Sequence, residues 1–518
     1  MIENFSRTTR ITKSAVRSRR GVVAAQNQLA ADIGARVLAE GGNAIDAAVA
    51  VGFAIPTVEP WMSGMGGGGY MVVHSAKTRK VSVVDFGLIA AAKLDPKDYP
   101  LVPGAVGGDI FGWPAVLEDR NLKGYPSIAV PGHVAGMALA LETFGTWSWK
   151  RALAPAIAQA ERGMLVDWFA SLKIANGAPD LARFDTSRAT YLVNGHYAPF
   201  GLDNGDPLRL KLGRLADTLR RLADAGARDF YEGDIARSLA SDLAAGGSKI
   251  SADDLKRYKA RIVDPLAFDF AGARVNTVAG LSAGPTMHRT LDAAAPKFKG
   301  SAPDAATFVA LADALRAAYR ERFETMGDTG GDSCTTHFNV VDAEGNMVAL
   351  TQTLLSLFGS KVMLPGTGIM MNNGIMWFDT RPGRPNSIGA GKRPLSNMCP
   401  AVVLKDGKPW FAVGASGGRR IVPAVSQLVT FLARYGMSLE QAFHHPRIDV
   451  SGVERIVADD AFPATMLEAL GGSAGTVAAP RTIYPVMYAC PSAVMRDADG
   501  GMSGMAEVSL PWTAASGA

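Results

Sequence analysis

The chain has 518 residues, 48% of them hydrophobic and 19% charged, so it is large enough to bury an extensive core. Its net charge of +5 is a mild excess, and no aromatic residues alternate with the basic ones, which argues against a surface for single-stranded nucleic acid. Much of the positive charge falls in residues 1–20, which we interpret as a solvated basic arm. The three cysteines (Cys334, Cys399 and Cys490) are too few to indicate a disulfide framework.

No apolar segment follows the charged N-terminal residues, so the sequence does not predict a secretory signal. The longest nearby apolar run, Ala47–Ile55, is far too short to cross a bilayer. We therefore expect a cytoplasmic protein that has neither a membrane partner nor a nucleic-acid partner.

Hydrophobic periodicity predicts several helices before residue 325. The first is alanine-rich and is interrupted at Gly41-Gly42, and Ser251 with Asp254 resembles a capping box at the start of a later one. The predicted helices are Ala24–Val51, Leu208–Ala223, one beginning at Leu255, and Asp304–Phe323.

Short apolar runs separated by turn residues predict two β-hairpins. One pairs Met71–His74 with Val81–Val84, and the other pairs Ala401–Leu404 with Pro409–Val413. The tail of small residues from Ala514 onward is expected to be disordered.

The most informative segment is the one between residues 334 and 353. A loop rich in glycine and aspartate (327–333) precedes Thr335, a strand follows over His337–Asp342, and a tight turn leads into a second strand that ends at Thr353. This layout can place Thr335 at a cleavage site with the Thr353 hydroxyl folded back beside it. If the Cys334–Thr335 peptide bond breaks, the freed α-amine becomes a general base attached to the hydroxyl that it activates.

A threonine hydroxyl is a weak nucleophile at neutral pH and needs such a base, and an α-amine has an intrinsic pKa in the required range. The expected reaction is attack on an amide carbonyl, an acyl ester on Thr335, and release to water or an amine. Cleavage of the chain would use the same hydroxyl on the Cys334 carbonyl in an N-to-O acyl shift. Taken alone, a Thr-Thr pair that opens a strand also fits simple β-propensity.

Other motifs carry less chemistry. Gly64, Gly66 and Gly69 fit the spacing GxGxxG, but they lead into an apolar strand instead of a helix, so a dinucleotide site is rejected. The seven histidines have no metal-ligand spacing, so neither a metal nor another cofactor is expected. His337 lies two residues from Thr335 on the same strand face, and we favour a structural role for it.

Six motifs, in order along the chain, resemble those of the γ-glutamyltranspeptidase family of N-terminal-nucleophile hydrolases. They are Gly41-Gly-Asn-Ala-Ile-Asp-Ala-Ala-Val, Gly64-Met-Gly-Gly-Gly-Gly-Tyr70, Thr335-Thr-His, Asn372-Asn373, Lys392-Arg-Pro-Leu-Ser396 and Gly417-Gly418. The resemblance implies the mixed α/β fold of that class, a four-layer αββα sandwich. It also implies a large subunit (1–334, with the basic arm at 1–20 and a processing loop at 327–334) and a small catalytic subunit (335–518), which together build one sandwich.

The family's residue roles transfer by the same resemblance. Thr335 is then the nucleophile and its α-amine the base, Thr353 positions the nucleophile, and Gly417 with Gly418 forms the oxyanion hole. From the residues alone, Thr353 also fits a packing role and the two glycines an ordinary turn. In the family, Asn372-Asn373 corresponds to a pair of amides and Lys392–Ser396 to a substrate loop, which implies substrate contacts from Asn373, Arg393, Ser396 and the adjoining Asn397. From the residues alone, Asn372 and Asn373 also fit buried structural amides.

Four positions depart from the family pattern where it binds a γ-glutamyl group. Gly87 stands where the family has the arginine that clamps the substrate α-carboxylate, and Leu355 stands where it has the asparagine after the second threonine. Trp377 replaces an acidic residue, and Asn397 replaces the second serine of the substrate loop. Each lost contact leaves a bound zwitterion unpaired at a cost on the order of 2–5 kcal/mol. Ordinary γ-glutamyl recognition is therefore not expected.

The replacements are apolar or basic: Leu355 and Trp377 are expected to contact the substrate, and Arg419-Arg420 follows the oxyanion turn. The pattern is similar to the acylase-like branch of the family, which includes glutaryl-cephalosporin acylases. We predict an amide hydrolase or acyltransferase whose acyl group carries a distal carboxylate, bound by Arg393, Arg419 or Arg420. Its partners would be a small-molecule amide and its own two subunits, as a heterodimer or a dimer of heterodimers. A γ-glutamyl enzyme that acts on glutathione and an unprocessed binding protein are the alternatives.

Overall fold

The structure, a computed structural model, describes residues 11–107, 113–201, 207–326, 334–451, 455–471, 475–484 and 486–518. Residues 1–10 of the expected basic arm and 327–333 of the expected processing loop lie outside these ranges.

The strands of the described chain, in sequence order, are β1 (Val16–Ser18), β2 (Gly21–Ala25), β3 (Gly68–Ser75), β4 (Lys80–Phe86), β5 (Leu101–Val106), β6 (Pro114–Val116), β7 (Met164–Leu165), β8 (Arg209–Leu210), β9 (Arg261–Val263), β10 (Leu266–Phe270), β11 (Ala273–Thr277), β12 (Cys334–Asp342), β13 (Met347–Leu355), β14 (Ala401–Lys405), β15 (Lys408–Ser416), β16 (Ile448–Asp449), β17 (Ile456–Asp459), β18 (Thr476–Ala479), β19 (Cys490–Arg496), β20 (Met502–Ala506) and β21 (Ala514–Gly517). The α-helices are α1 (Gln28–Ala39), α2 (Ala44–Val58), α3 (His133–Phe144), α4 (Trp149–Arg162), α5 (Trp168–Leu181), α6 (Asp185–Tyr191), α7 (Leu215–Ala225), α8 (Asp229–Glu232), α9 (Asp234–Ala245), α10 (Ala252–Arg257), α11 (Gly284–Ala294), α12 (Ala305–Glu321), α13 (Ile421–Val429), α14 (Leu439–His444) and α15 (Ala464–Gly471).

Two seven-stranded sheets dominate the described residues. The nucleophile sheet has the order β21-β2-β12-β13-β3-β4-β9, and the facing sheet has the order β1-β20-β19-β15-β14-β11-β10. The sheets pack face to face through β12 and β13 against β15 and β19. Helices α1, α2 and α3 cover the outer side of the nucleophile sheet, and α11 and α13 cover the outer side of the facing sheet. The expected αββα sandwich is therefore confirmed.

The segment Gly41–Val49 places a buried helix against the nucleophile sheet. Asn43 caps α2 and forms a capping box with Asp46, and every side chain of α2 is buried. The Asp342 carboxylate, at the far end of β12, accepts a hydrogen bond of 2.8 Å from the Ala44 backbone N–H. This contact fixes β12 lengthwise against α2, and β12 is the strand that begins at the expected cleavage site.

Each sheet interleaves strands from before and after residue 335. In the nucleophile sheet β12 pairs with β2 only at residues 339–342, whereas it pairs with β13 along its whole length. The first residues of β12 therefore have a backbone partner on one side only.

Several predicted elements are confirmed. The first helical segment breaks at Gly41-Gly42 into α1 and α2, both hairpins form as β3–β4 and β14–β15, Ser251 and Asp254 form a capping box, and α12 begins after its cap Asp304.

Three expectations are wrong. The helix predicted over Leu208–Ala223 begins only at Leu215, because residues 209–210 form β8 and pair with β7. Ala24 and Ala25 belong to β2, not to a helix. The tail from Ala514 is ordered as β21, since its backbone completes the edge of the nucleophile sheet beside β2.

The described part of the basic arm is docked, not solvated. Strand β1 pairs with β20, and the Lys13 ammonium donates to the backbone carbonyls of Glu507, Leu510 and Thr513 at 2.6–2.8 Å. Burial lowers the pKa of Lys13 to about 8. Among the basic side chains of residues 11–20, Arg17, Arg19 and Arg20 keep the exposed position expected for a solvated arm.

Candidate active site

Thr335 lies at the start of β12, buried between the two sheets. Its Oγ1 is 3.3 Å from Oγ1 of Thr353, so the predicted pair of hydroxyls is brought together. The pairing of β12 with β13 is irregular here, shifting between Cys334–Leu355 and Thr336–Gln352. The irregularity turns Thr335 out of the regular ladder, as bulges at functional sites commonly do.

The Thr353 hydroxyl is itself held by the backbone. The Leu355 N–H donates to Thr353 Oγ1 at 2.7 Å, and Leu355 has a φ of +94°, which a leucine rarely adopts. Such strained residues persist only where the surrounding structure enforces them. Here the last residue of β13 directs its N–H at the hydroxyl that contacts the candidate nucleophile.

His337 continues the same face of β12 but does not reach toward Thr335. Its ring nitrogens lie 2.8 Å from Thr351 Oγ1 and 3.1 Å from Asn339 Oδ1, and burial lowers its pKa to about 3. A Cβ at Gly414 on β15 would lie 2.3 Å from the ring, so this glycine leaves room for the histidine between the sheets. The geometry supports a structural role for a neutral His337.

Gly417 and Gly418 follow β15, which faces β12 across the sandwich. Their φ values of +130° and +63° favour glycine, and residues 418–420 lead into the N-terminus of α13. Helix N-termini and glycine turns present backbone N–H groups that stabilise negative charge. This turn is therefore suited to a developing oxyanion.

The paired amides act as scaffold. Asn373 accepts from the Ser356 N–H and donates to Leu122 O and Ser356 Oγ at 2.8–3.1 Å. Asn372 donates to Gly66 O and Ala129 O and accepts from two backbone N–H groups. Asn373 therefore braces the chain just after Leu355, Asn372 ties together the backbone at Gly66, Ala129 and Gly374, and the described contacts already use the hydrogen-bonding groups of both amides.

The substrate loop is anchored by a residue that the sequence did not single out. Arg322, fully buried just after α12, donates to Ser396 O at 2.8 Å and to Asn397 Oδ1 at 3.1 Å. Asn397 Nδ2 is buried and makes no hydrogen bond within the described residues. Asn397 therefore keeps one buried donor for a further acceptor.

Arg393 lies beside Gly87, the position at which the family pattern has the clamping arginine. Its guanidinium donates to Asp85 Oδ1 at 3.2 Å and to Gly87 O at 3.3 Å, and Arg261 pairs with the other oxygen of Asp85. Two guanidinium groups share one carboxylate, so the cluster has a net charge of +1. This surplus lies next to position 87, where the family pattern has an arginine.

The remaining predicted substrate residues have mixed surroundings. Leu355 and Trp377 are buried, and Trp377 Nε1 makes no hydrogen bond among the described residues. Arg419 donates to Ser451 O at 3.2 Å and its guanidinium lies 5.1 Å from the Phe323 ring centroid, while Arg420 donates to Val486 O at 2.9 Å. Both arginines are thus engaged with neighbouring segments.

Three further polar residues near the site were not predicted. Gln26 donates to Ser416 Oγ and to Cys490 O, next to the Gly417–Gly418 turn. Burial raises the pKa of Glu59 to about 8, and the side chains of Asn27 and Thr336, the residue after the candidate nucleophile, act to lower it. Gln26 and Asn27 follow a short apolar strand and Glu59 ends an apolar helix, and no local pattern marks them as near residue 335.

The part of the chain that the structure describes holds no group of three or more His, Cys, Asp and Glu side chains suited to a metal ion. Among the same residues, no helix is both long and apolar enough to span a membrane.

Comparison with known proteins identifies the family. The family model for gamma-glutamyltranspeptidase matches residues 30–333 and 329–515. Similar proteins include a glutathione hydrolase proenzyme from Bacillus subtilis (strain 168), 31% identical over 87% of this chain and 84% of its own length. The Acylase ACY 1 proenzyme from Pseudomonas sp. (strain SE83) is 34% identical over 87% of this chain and 86% of its own length.

A solved structure has the same fold over the full chain. The crystal structure of cephalosporin acylase from Bacillus halodurans superposes with a TM-score of 0.86 and 21% identity, covering 100% of this chain and 99% of that one. The family model and the two proenzymes confirm the resemblance inferred from the six motifs, including the relation to acylases. The chain belongs to the γ-glutamyltranspeptidase family of N-terminal-nucleophile enzymes.

Proposed function

We propose that the chain cleaves itself between Cys334 and Thr335 and then acts as an amide hydrolase or acyltransferase through an acyl ester on Thr335. The observation that carries this proposal is the buried pair of hydroxyls, with Thr335 Oγ1 at 3.3 Å from Thr353 Oγ1. In cleavage, the Thr335 hydroxyl attacks the Cys334 carbonyl carbon, the C–N bond breaks, and the amide nitrogen takes up the proton. This step frees the α-amine of Thr335, and water then hydrolyses the ester to release the Cys334 carboxylate and regenerate the Thr335 hydroxyl.

In turnover, the free α-amine accepts the proton of the Thr335 hydroxyl as it attacks the substrate carbonyl. The Gly417–Gly418 turn stabilises the oxyanion, and the amine returns the proton to the leaving nitrogen. A water molecule or an acceptor amine then releases the acyl group. Thr353 holds the nucleophile in position throughout.

Self-cleavage would leave two interleaved subunits that form one heterodimer. Both cited relatives are named proenzymes, which supports processing. Freshly purified protein should give fragments of about 35 and 19 kDa, in proportion to the 334 and 184 residues into which the 54.4 kDa chain divides. The smaller should begin at Thr335. Thr335→Ala should stay at full mass, and a wild-type chain that also stays at full mass would refute the proposal.

The substrate we propose is an acyl amide or dicarboxylic monoamide. Gly87, Leu355 and Trp377 replace polar residues that would pair with the zwitterionic end of a γ-glutamyl substrate. Arg393 and Arg261 share the single carboxylate of Asp85, which leaves one positive charge unbalanced. Asn397 Nδ2 adds a buried donor. The similarity to an acylase supports the same class.

A panel of p-nitroanilides tests this specificity. We expect glutaryl-p-nitroanilide to exceed both a neutral butyryl and a γ-glutamyl analogue in kcat/KM, and Arg393→Met to remove the preference for the acid. Equal rates for the glutaryl and butyryl compounds would refute the carboxylate contact. Arg419→Met tests whether Arg419 binds the carboxylate instead of Arg393, in which case this variant would lose the preference for the acid. In the uncleaved chain Arg419 contacts Phe323 and Ser451.

A γ-glutamyl hydrolase or transferase is the second candidate. The similarity to glutathione hydrolase proenzymes favours it. It would be preferred if the γ-glutamyl compound were the fastest in the panel and its turnover were lost in Thr335→Ala.

A further inference from the structure

Arg322 is a buried cation at the junction of α12, α11 and the substrate loop. It follows α12, opens a π-helical turn, and is only 1% exposed. Its Nη1 donates to Ser282 O at 2.9 Å, just before α11, and to Thr286 Oγ1 at 3.2 Å in the first turn of α11. Its Nη2 donates to Ser396 O at 2.8 Å and to Asn397 Oδ1 at 3.1 Å. One guanidinium of the proposed large subunit therefore holds the substrate loop of the small one.

The contact with Arg322 decides the orientation of the Asn397 amide. A guanidinium carries only donors, so the amide oxygen must face it and the Nδ2 group must point away from it. Asn397 is 2% exposed, and its Nδ2 makes no hydrogen bond within the described residues. A hydrogen bond from a cation to the amide oxygen also polarises the amide and strengthens its N–H donors. Asn397 therefore presents a buried, oriented donor to a further acceptor.

The backbone of the substrate loop has anchors besides the guanidinium. The Ser396 N–H donates to Leu281 O at 3.1 Å, and the Ala283 N–H donates to Met398 O at 3.2 Å. The Met398 N–H also donates to Ser396 Oγ at 3.1 Å. These bonds flank Asn397 on both sides. Loss of the guanidinium would therefore free the amide to rotate while the loop keeps its course.

The substrate loop lies on the face of the nucleophile sheet that carries the threonine hydroxyls. Tyr70 on β3 pairs with Thr351 on β13, and directly paired residues of neighbouring strands have their side chains on the same face. Thr353 shares that face, because side chains alternate along a strand. The Tyr70 hydroxyl lies 3.5 Å from Leu281 O, the carbonyl that accepts from the Ser396 N–H. The loop is therefore on the side of the sheet from which a substrate reaches the candidate nucleophile.

Arg393 brings the other end of the loop to the same place. A Cβ added at Gly87 would lie 3.3 Å from the Tyr70 hydroxyl and 3.4 Å from Arg393 Nη1, so both groups border one position. Arg393 and Asn397 are thus donors on one loop whose two ends are held near Tyr70. A carboxylate has two acceptor oxygens and can take one donor from each end of the loop.

We propose that Arg322 is a positioning residue for acyl specificity. It holds the Asn397 amide so that Nδ2 binds the distal carboxylate of the acyl group, which Arg393 binds from the other end of the loop. Arg322 acts through Asn397 and not on the substrate. The inference rests on the proposed function, since it concerns the specificity of that site. The preference for an acidic acyl group is then a joint property of the two subunits, because the residue that orients the donor belongs to the large one.

Substitution of Asn397 tests the donor directly. Asn397→Asp keeps the side-chain shape and an acceptor for Arg322, but it replaces the donor by a second, negatively charged acceptor. The ratio of kcat/KM for glutaryl-p-nitroanilide to that for butyryl-p-nitroanilide should fall about 10- to 100-fold, which is the effect of one hydrogen bond to a charged group. The fall should be in KM for the glutaryl compound, because the distal carboxylate does not react.

A double-mutant cycle tests whether Arg322 acts through Asn397. Arg322→Met should lower the same ratio about 10-fold in the wild-type background and should not lower it further in an Asn397→Ala background. A purely structural residue would instead change kcat for both compounds by the same factor in both backgrounds. Thr286→Val is the matched control, since it removes another acceptor of the guanidinium and leaves the contact with Asn397. It should lower the unfolding temperature without changing the ratio.

Cleavage is followed by mass and folding by thermal unfolding, so that each outcome can be assigned. An enzyme that prefers the glutaryl compound and keeps this preference in Asn397→Asp would overturn the inference alone, as would equal effects of Arg322→Met in both backgrounds. If Arg322→Met does not fold, Asn397→Asp decides, because it keeps the buried contact. A wild-type enzyme without a preference for the acid would overturn the proposed substrate and this inference with it. A wild-type chain that never cleaves would overturn the proposed function as a whole.

Discussion

The Thr353 hydroxyl offers the sharpest test of the site because one change removes it without changing the side-chain shape. In Thr353→Val, the Thr335 hydroxyl loses its contact at 3.3 Å, and the Leu355 N–H loses its acceptor at 2.7 Å. A buried N–H without a partner costs roughly 1–3 kcal/mol of stability. Loss of nucleophile orientation of the same size corresponds to a fall in kcat of about 10- to 100-fold, with KM nearly unchanged.

Thr351 provides a matched control two residues away. It is buried on the same strand face and bonds His337 at 2.8 Å, but it does not contact Thr335 in the described hydrogen bonds. We expect Thr351→Val to lower the unfolding temperature as much as Thr353→Val while keeping kcat within about threefold of the wild type. Thr353→Ser should restore most of the activity. Equal kcat losses at Thr351 and Thr353, or none at Thr353, would refute the positioning role.

Two further predictions concern stability. Burial lowers the pKa of His133 to about 4 and of His337 to about 3, so only the unfolded chain takes up these protons as the pH falls below 6.5. The free energy of unfolding should be highest above pH 6.5 and should fall by up to about 2.7 kcal/mol per pH unit below it, as measured by denaturant midpoints at pH 7, 6 and 5. His337→Gln should flatten this slope, and an unchanged slope would refute the reasoning. Deletion of residues 514–518 removes β21 and exposes the edge of β2. The unfolding temperature should then fall by several degrees, whereas Ser516→Ala, which keeps the strand, should have little effect; no change on deletion would contradict the role of β21.

Local sequence patterns were sufficient where the structure depends on near neighbours. The Thr335–Thr353 approach follows from two antiparallel strands joined by a tight turn, whose alternation puts both threonines on one face. The break at Gly41-Gly42 and the capping box at Ser251 also involve residues within one or two turns. The site motifs could therefore be located before the fold was known.

The failures involve long-range contacts. The leucine spacing over 208–222 fits a helix, yet residues 209–210 pair with β7 and Gly213 adopts a φ of +54° before α7 begins. The small residues from Ala514 have no core-forming side chains, and they are ordered through backbone pairing with β2. Gln26 donates to Ser416, 390 positions away in sequence, and Glu59 has its pKa lowered by Thr336, 277 positions away, so no periodicity could have indicated either residue.

The position of β21 beside β2 has a consequence for protein engineering. The Ala518 N–H donates to Gly21 O at 3.0 Å, and Ser18 Oγ donates to Ala518 O at 2.8 Å, so residue 518 adjoins the turn between β1 and β2. A circularly permuted gene can therefore start at Met-Thr335 and run from Ala518 through a linker into β1, whose residues Val16 and Ser18 lie beside Gly517. Removal of the initiator methionine by an aminopeptidase would then expose the Thr335 amine. In such a permutant, the catalysis that we propose would no longer depend on the proposed self-cleavage, and the two reactions could be studied apart.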